Sequence, residues 1–134
     1  MKKRIALFFI MSCLAFFLTS CSGNLTNKSD IVSLYQKNEE TFLQAVSDGD
    51  YSVVEKINGV QEVLVKEEYV EISCGGAGFG ASTHYYGIFY SAGDVDVAGM
   101  VEQGDGYLYQ QEDGDNRIYI EPLGNDFYYY EAHF

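Results

Sequence analysis

Cys74, His84 and His133 are residue types from which a nucleophilic catalytic site could be built. An imidazole beside a cysteine thiol can take its proton and leave a reactive thiolate. Cys74, however, continues the apolar alternation of Val70 and Ile72, which indicates a small buried side chain. The two histidines have no cysteine cluster beside them and lack the spacing of zinc ligands. The sequence therefore predicts neither a catalytic residue nor a metal site among them.

The glycine-rich stretch of residues 75–80 could hold a phosphate against its backbone. It fails the dinucleotide-binding fingerprint because Ala81 stands where a further glycine is needed. It also lacks the Lys-Ser or Lys-Thr pair of a P-loop and leads into a strand pattern. We therefore predict a loop between strands and no bound cofactor, although glycines would let a ligand edge approach the backbone closely.

Asp113, Asp115 and Asn116 place oxygen ligands close together, as a calcium loop does. The ligand order fails because Arg117 occupies a ligand position and no bidentate glutamate follows. Asp and Asn beside Gly114 are typical turn residues, so the sequence predicts a turn. The other carboxylates are so numerous that some pair will lie at the separation of a glycosidase, and their number is no evidence for hydrolysis.

The tyrosines are the remaining feature with functional content, and all twelve lie after residue 20. A tyrosine ring packs well across strands with its hydroxyl at the rim of a core. It also gives recognition surfaces rigid contact area. Beside the packing role, we predict an exposed partner-binding strip formed by Tyr85, Tyr86, Tyr90, Tyr119 and Tyr129.

The charge of the chain limits its partners. Three of its eight basic residues lie in the first 20 residues, which contain no acid, so residues 21–134 carry five basic against 20 acidic side chains, a net charge of −15. We expect no nucleic acid partner, because phosphate binding needs Lys and Arg. A cationic protein or peptide would be attracted, although solubility alone is a sufficient reason for such acidity.

The first twenty residues have the pattern of a secretory signal peptide. A cationic start at residues 1–4 precedes an apolar run at residues 5–18, and small residues then precede a cysteine. The stretch Leu18-Thr19-Ser20-Cys21 resembles the lipobox of bacterial lipoproteins at all four positions. The resemblance implies cleavage after Ser20, a diacylglyceryl group on Cys21, and a cell-membrane protein facing the extracytoplasmic side (on the outer membrane if the source is Gram-negative).

This organisation predicts three parts. Residues 1–20 are a removable leader, residues 21–29 a flexible polar spacer, and residues 30–134 a single domain. With Cys13 in the leader and Cys21 lipidated, Cys74 has no partner for a disulfide within the domain.

The domain begins with helical patterns and continues with strands. Apolar residues at helical spacing predict a helix from Ser29 or Asp30 to about Val46, and a shorter one to Ile57. From residue 60 the period is two, which predicts strands over 63–66, 69–74 and 83–91. Residues 92–105 give only a turn and a short strand around 95–101.

Two hairpin turns organise the C-terminal residues. A two-residue turn at 113–114 places Tyr107 opposite Ile120, and a loop over 122–126 then places Ile120 opposite Tyr128. Both turns predict the same inward face. That face contains Tyr107, Tyr109, Ile118, Ile120, Tyr128, Tyr130 and Phe134.

The outward face of these strands is predicted to meet solvent. It places Arg117 opposite Glu131 and Tyr119 opposite Tyr129. Together the patterns predict an α+β fold, with one or two N-terminal helices packed on an antiparallel sheet of four to six strands.

The domain also resembles small lipoproteins and secreted proteins of clostridia and their relatives over residues 30–134. The resemblance rests on Ser73-Cys74-Gly75-Gly76, on residues 85–91 (Tyr-Tyr-Gly-Ile-Phe-Tyr-Ser) and on residues 127–134. It implies no activity and no site residue. Lysozyme-inhibitor lipoproteins are similar in size, anchoring and strand content, but this chain lacks their paired cysteines.

The function expected from these features is non-enzymatic binding. The protein would be anchored through lipid on Cys21 and would bind an envelope or extracellular partner, for which its charge favours a cationic one. The alternatives are a hydrolase of envelope or extracellular polymers, which would need paired carboxylates in a cleft, and an accessory of an envelope complex, which would need an exposed apolar patch.

Overall fold

In the computed structural model, which describes residues 23–79, 82–93 and 95–134, one α-helix covers one face of a seven-stranded antiparallel sheet. The helix, α1, spans Lys28–Asp48. The strands are β1 (Glu62–Val65), β2 (Val70–Phe79), β3 (Ser82–Tyr90), β4 (Val101–Gln103), β5 (Gly106–Gln110), β6 (Arg117–Gly124) and β7 (Phe127–His133). Their spatial order is β1-β2-β3-β7-β6-β5-β4, so the last strand lies at the centre of the sheet.

Capping residues fix both ends of α1. The side chain of Asn27 accepts a hydrogen bond from Ser29 N–H at 2.8 Å, which satisfies an amide that has no partner within the helix. Gly49 ends the helix in the left-handed conformation, at φ 66°, and its N–H bonds back to the last turn. The apolar stripe of α1 faces the sheet and contains Ile31, Leu34, Tyr35, Phe42 and Ala45.

The predicted numbers of helices and strands are wrong. In the described residues, one α-helix and seven strands replace one or two helices on four to six strands. The predicted second helix is a single 3-10 turn at Val54–Lys56, because β-branched residues disfavour a helix here and Gly59, at φ 104°, ends the segment. The sheet also gains β4, which pairs with β5 across a tight turn at Gly104.

Residues 75–79 of the glycine-rich stretch belong to β2 and do not form the predicted loop. β2 continues to Phe79, with a register shift between Ser73 and Gly75. Glycine is required because the N-terminal segment packs directly on this strand. A Cβ atom on Gly75 would lie 2.3 Å from the carbonyl oxygen of Leu25.

Residues 23–25 lie along the edge of β2, which differs from the predicted flexible spacer. Leu25 N–H donates to the carbonyl of Cys74 at 2.9 Å. The side chain of Asn24 bonds both backbone groups of Gly76, accepting from N–H at 2.9 Å and donating to the carbonyl at 3.1 Å. These contacts cover a strand edge beyond the end of β1. Cys21 itself lies outside the described residues.

The first predicted hairpin register is confirmed and the second is displaced by two residues. Tyr107 pairs with Ile120, as predicted, but Ile120 pairs with Tyr130. The cause is a two-residue turn in which Asn125 and Asp126 adopt φ 52° and 63°, where a five-residue loop was expected, together with a register shift between Pro122 and Gly124. The shorter loop alone would displace the pairing by three residues, and the register shift reduces this to two. Both flanking strands therefore extend further toward the turn.

The displacement changes the pairing partners of these residues, but the residues predicted to share a face still share it. Arg117 pairs with His133 and Tyr119 pairs with Glu131, so the predicted pairs Arg117–Glu131 and Tyr119–Tyr129 are wrong. An even displacement preserves the faces because side chains alternate with a period of two.

α1 covers the face that was predicted to be outward, although Ile120 and Tyr130 of the predicted inward face are also buried. α1 packs on β3 and β7 and buries the face that contains Ile72, Ile88 and Tyr129. Tyr35, Phe42 and Phe127 form an aromatic cluster in this interface, with ring centroids 5.2–5.6 Å apart. The face predicted to be inward is the one that α1 leaves uncovered. We call it the open face.

The α1–sheet interface gives a direct test of this core. Phe42 is fully buried and the adjacent Leu43 is 39% exposed. We expect Phe42→Ala to lower the free energy of unfolding by about 3–5 kcal/mol through lost burial and a residual cavity, and Leu43→Ala to lower it by less than about 1 kcal/mol. Urea denaturation of both variants checks the ranking, and equal losses would show that α1 does not pack in this orientation.

Candidate functional site

The predicted tyrosine strip is divided between the two faces of the sheet. Tyr119 and Tyr129 are buried, so their predicted exposure is wrong. Tyr86 and Tyr90 are half-buried and pack against the core beneath α1. Tyr85 is exposed, and it lies on the open face. These five residues therefore do not form one exposed surface.

The open face instead contains a groove with a volume of about 580 Å³. Its floor is built by alternate residues of β3, β6 and β7, and its rim by the β1–β2 connection and the segment after β3. The apolar lining includes Tyr85, Phe89, Ile118, Ile120, Tyr130 and Phe134. A space of this volume matches the size of small-molecule and peptide side-chain sites.

Gly87 and Tyr130 give the floor of the groove its shape. The two residues pair across β3 and β7, and a Cβ atom at Gly87 would lie 2.9 Å from the Tyr130 ring. The missing side chain lets this ring lie across β3 toward β2, where its hydroxyl donates to Glu71 at 2.9 Å. Burial, followed by the charge of Glu71, raises the pKa of Tyr130, so its hydroxyl remains a donor at neutral pH.

Carboxylates cluster at one end of the groove. Glu68, Glu71 and Asp96 line it, and no lysine or arginine is among its lining residues in the described part of the chain. Glu71 lies directly opposite Phe89, whose ring stacks on Tyr128 with centroids 4.9 Å apart. A carboxylate beside an aromatic face is suited to an ammonium or guanidinium group.

Aromatic residues occupy the other end of the groove. Tyr85 and Phe134 are 46% and 43% exposed, with ring centroids 6.1 Å apart. Six residues of extended chain separate Tyr85 from Ser91, which both line the groove, a distance of about 20 Å. The groove is therefore acidic at one end and apolar at the other.

Tyrosine–carboxylate pairs on the α1 side of the sheet are structural. Tyr119 donates to Glu121 at 2.5 Å, and Lys28 forms an ion pair with the same carboxylate. Burial disfavours the charge of Glu121, but hydrogen bonds from Lys28 and Tyr119 outweigh it and lower its pKa. Tyr129 likewise donates to Glu131 at 2.9 Å. The pairs satisfy the polar ends of rings that α1 covers.

Cys74 occupies the position that the sequence indicated. It is fully buried, and burial raises the pKa of its thiol to about 12, so it stays protonated and unreactive at neutral pH. Within the described residues, no three His, Cys, Asp or Glu side chains come together as a metal-binding group. In the same part of the chain, no helix is long and apolar enough to cross a membrane.

The chain matches no protein-family model, no curated protein and no solved structure.

The groove was not predicted from the sequence, although several of its lining residues were predicted to share one face of the C-terminal strands. The predicted inward face contains Ile118, Ile120, Tyr130 and Phe134, all of which line the groove. No periodic pattern indicated that Glu68 and Asp96 would reach the same space, because both belong to connections between strands.

His133 lies at the centre of a small titratable cluster. It pairs with His84 on one side and Arg117 on the other, and the two imidazole rings lie 4.2 Å apart. Tyr86 packs on its ring, and the Glu131 carboxylate lies 3.8 Å from its Nε2 atom. Burial and the charges of His84 and Arg117 outweigh Glu131 and lower the pKa of His133 below its ordinary value of 6.5.

This lowered pKa predicts a loss of stability in mild acid. The unfolded chain binds the proton more readily, so stability from neutral His133 is complete above about pH 6.5 and falls as the pH drops through the folded-state pKa. The urea midpoint of unfolding should be lower at about pH 5.5 than at about pH 7.5, and His133→Gln should make this difference smaller. NMR titration of the His133 ring checks the cause, and a pKa at or above 6.5 in the folded protein would contradict it.

Proposed function

We propose that this protein is a membrane-anchored, extracytoplasmic binding module whose open-face groove holds a cationic amphipathic peptide segment. The observation that carries the proposal is the lining of the groove, which combines aromatic rings and aliphatic side chains with carboxylates and contains no lysine or arginine among its described residues. The proposed partner is still the cationic one expected from the sequence, but its binding site is the groove and not the tyrosine strip.

Charge and contact have separate roles in this proposal. A domain with a net charge of −15 attracts a cationic partner from solution and raises the encounter rate. Glu71 then pairs with a basic side chain above the Phe89 ring, where a cation–π contact contributes about 0.5–2 kcal/mol. Apolar side chains of the partner pack on Tyr85 and Phe134 and supply most of the contact energy.

The length of the groove fits a short segment. About 20 Å accommodates roughly six residues of an extended peptide. A ten-residue peptide of alternating lysine and leucine with one tryptophan is a suitable probe, because the chain itself contains no tryptophan. The matched peptide with glutamate in place of lysine tests the charge preference.

Two variants test the groove against their controls. Glu71→Gln should weaken binding of the lysine peptide about tenfold, while Glu40→Gln, the same charge change on the exposed side of α1, should have little effect. Tyr85→Ala should likewise weaken binding about tenfold, whereas Tyr109→Ala, exposed but outside the lining, should not. Tryptophan fluorescence titration measures all four.

The salt dependence of the binding rates distinguishes binding in the groove from nonspecific attraction to an acidic protein. Raising the salt from about 0.05 M to about 0.5 M should slow association more than it speeds dissociation, because steering acts over a Debye length of about 8 Å at physiological salt. Equal binding of the lysine and glutamate peptides would overturn the groove proposal. So would binding that the Glu71 and Tyr85 variants leave unchanged.

The anchor is part of the same proposal and has its own test. It is supported by the four lipobox positions that end at Cys21. Two acyl chains give stable membrane attachment, since each buried methylene contributes about 0.8 kcal/mol. Cys21→Ala should release the domain from the membrane fraction or leave it as uncleaved precursor. Unchanged fractionation with normal cleavage after Ser20 would contradict lipidation.

A further inference from the structure

The N-terminal segment fixes where a lipid anchor would leave the domain. Gly23 N–H donates to the side chain of Asn58 at 3.3 Å, and its carbonyl accepts from Gln61 at 3.0 Å. Asn24 holds the backbone of Gly76 through two hydrogen bonds. Only two residue steps separate Cys21 from Gly23, a reach of at most about 7 Å. A lipid on Cys21 would therefore hold this part of the domain close to the bilayer.

The same end of the sheet carries the apolar end of the groove. Gly76, which Asn24 holds, pairs with Tyr85 on β3, and Tyr85 pairs with Ala132 on β7. Phe134 follows two residues later and pairs with Thr83 through two backbone hydrogen bonds of 2.9 Å. Tyr85 is the fourth residue of β3 and Phe134 directly follows β7, so both exposed rings lie toward the strand ends that are nearer to the N-terminal segment. Amphipathic and aromatic rings are enriched at the interface between lipid and water.

The cationic side chain at this end is compatible with a phospholipid surface. Arg117 is the only arginine after the leader, and it lies here in a row with the imidazole rings of His133 and His84. The carboxylates of residues 112–115 also lie at this end, in the β5–β6 turn. They lie toward the opposite edge of the sheet from β2, the strand that holds the N-terminal segment.

We propose that the strand ends bearing Tyr85 and Phe134 rest against the phospholipid bilayer, so that the groove opens at the membrane surface with its acidic end toward solution. This inference rests on the lipid anchor proposed above. It adds an orientation that the anchor alone does not give. A cationic amphipathic segment lying on the membrane would then meet the apolar end of the groove first.

Tryptophan placed at either end of the groove tests the orientation. Tyr85 and Tyr69 are exposed to similar degrees, 46% and 41%, and both line the groove, but Tyr69 precedes β2 at the opposite end. The lipidated protein with Tyr85→Trp or Tyr69→Trp is reconstituted in vesicles of phosphatidylcholine and phosphatidylglycerol, with and without brominated acyl chains. Bromine quenches tryptophan only within about 10 Å, roughly a third of the bilayer hydrocarbon thickness.

We expect brominated lipid to quench the tryptophan at position 85 at least about twofold more than that at position 69, since about 20 Å of strand separates them. Asn24→Ala in the Tyr85→Trp protein should reduce this difference without releasing the protein from vesicles. Equal quenching at both positions in protein that sediments with vesicles would overturn the orientation and leave the anchor intact. Protein that does not sediment would overturn both.

Discussion

One helix cannot cover both faces of this sheet, and the rest of the structure depends on that constraint. Seven strands span about 29 Å, whereas a helix with its side chains is about 10–12 Å wide. α1 therefore buries only the centre of one face, where Ile72, Ile88 and Tyr129 form a row. The opposite face has to protect its apolar residues by other means. Aromatic rings that lean across neighbouring strands provide part of that protection and leave the groove between them.

Tyrosine is suited to both faces because its buried hydroxyl can donate to a carboxylate on either one. On the α1 side, Tyr119 and Tyr129 donate to glutamates two residues further along their own strands. On the open face, Tyr130 donates to Glu71 two strands away, which Gly87 permits by leaving room for the ring. A hydroxyl buried without an acceptor would cost about 1–3 kcal/mol. Acidic residues that look like surface solubility groups in the sequence therefore also complete the packing of the aromatic core.

Local patterns predicted the main helix and the first C-terminal hairpin, but they did not predict the number of strands or which face of the sheet α1 covers. The caps of α1 and the turn at residues 113–114 are set by neighbouring residues, so the helix and the pairing of Tyr107 with Ile120 followed from the sequence. Which face α1 would cover depends on long-range packing. Both faces of the C-terminal strands are aromatic. The alternation of side chains therefore does not indicate which face packs against α1, and the prediction of that face is wrong. The carboxylates of the groove were not predictable because Glu68 and Asp96 reach it from connections between strands.

The division of charge and apolar surface along the groove gives a physical reason for the acidity of the domain. A uniformly acidic surface would attract cations without selecting among them, since screened charges act over about 8 Å and fix no geometry. Placing Glu71 opposite Phe89, with exposed rings at the far end, adds contacts that a small cation alone cannot make. Under the proposed function, the groove would select a partner that carries positive charge and apolar side chains within the same short segment. The groove, more than the net charge, would decide which cationic molecules remain bound.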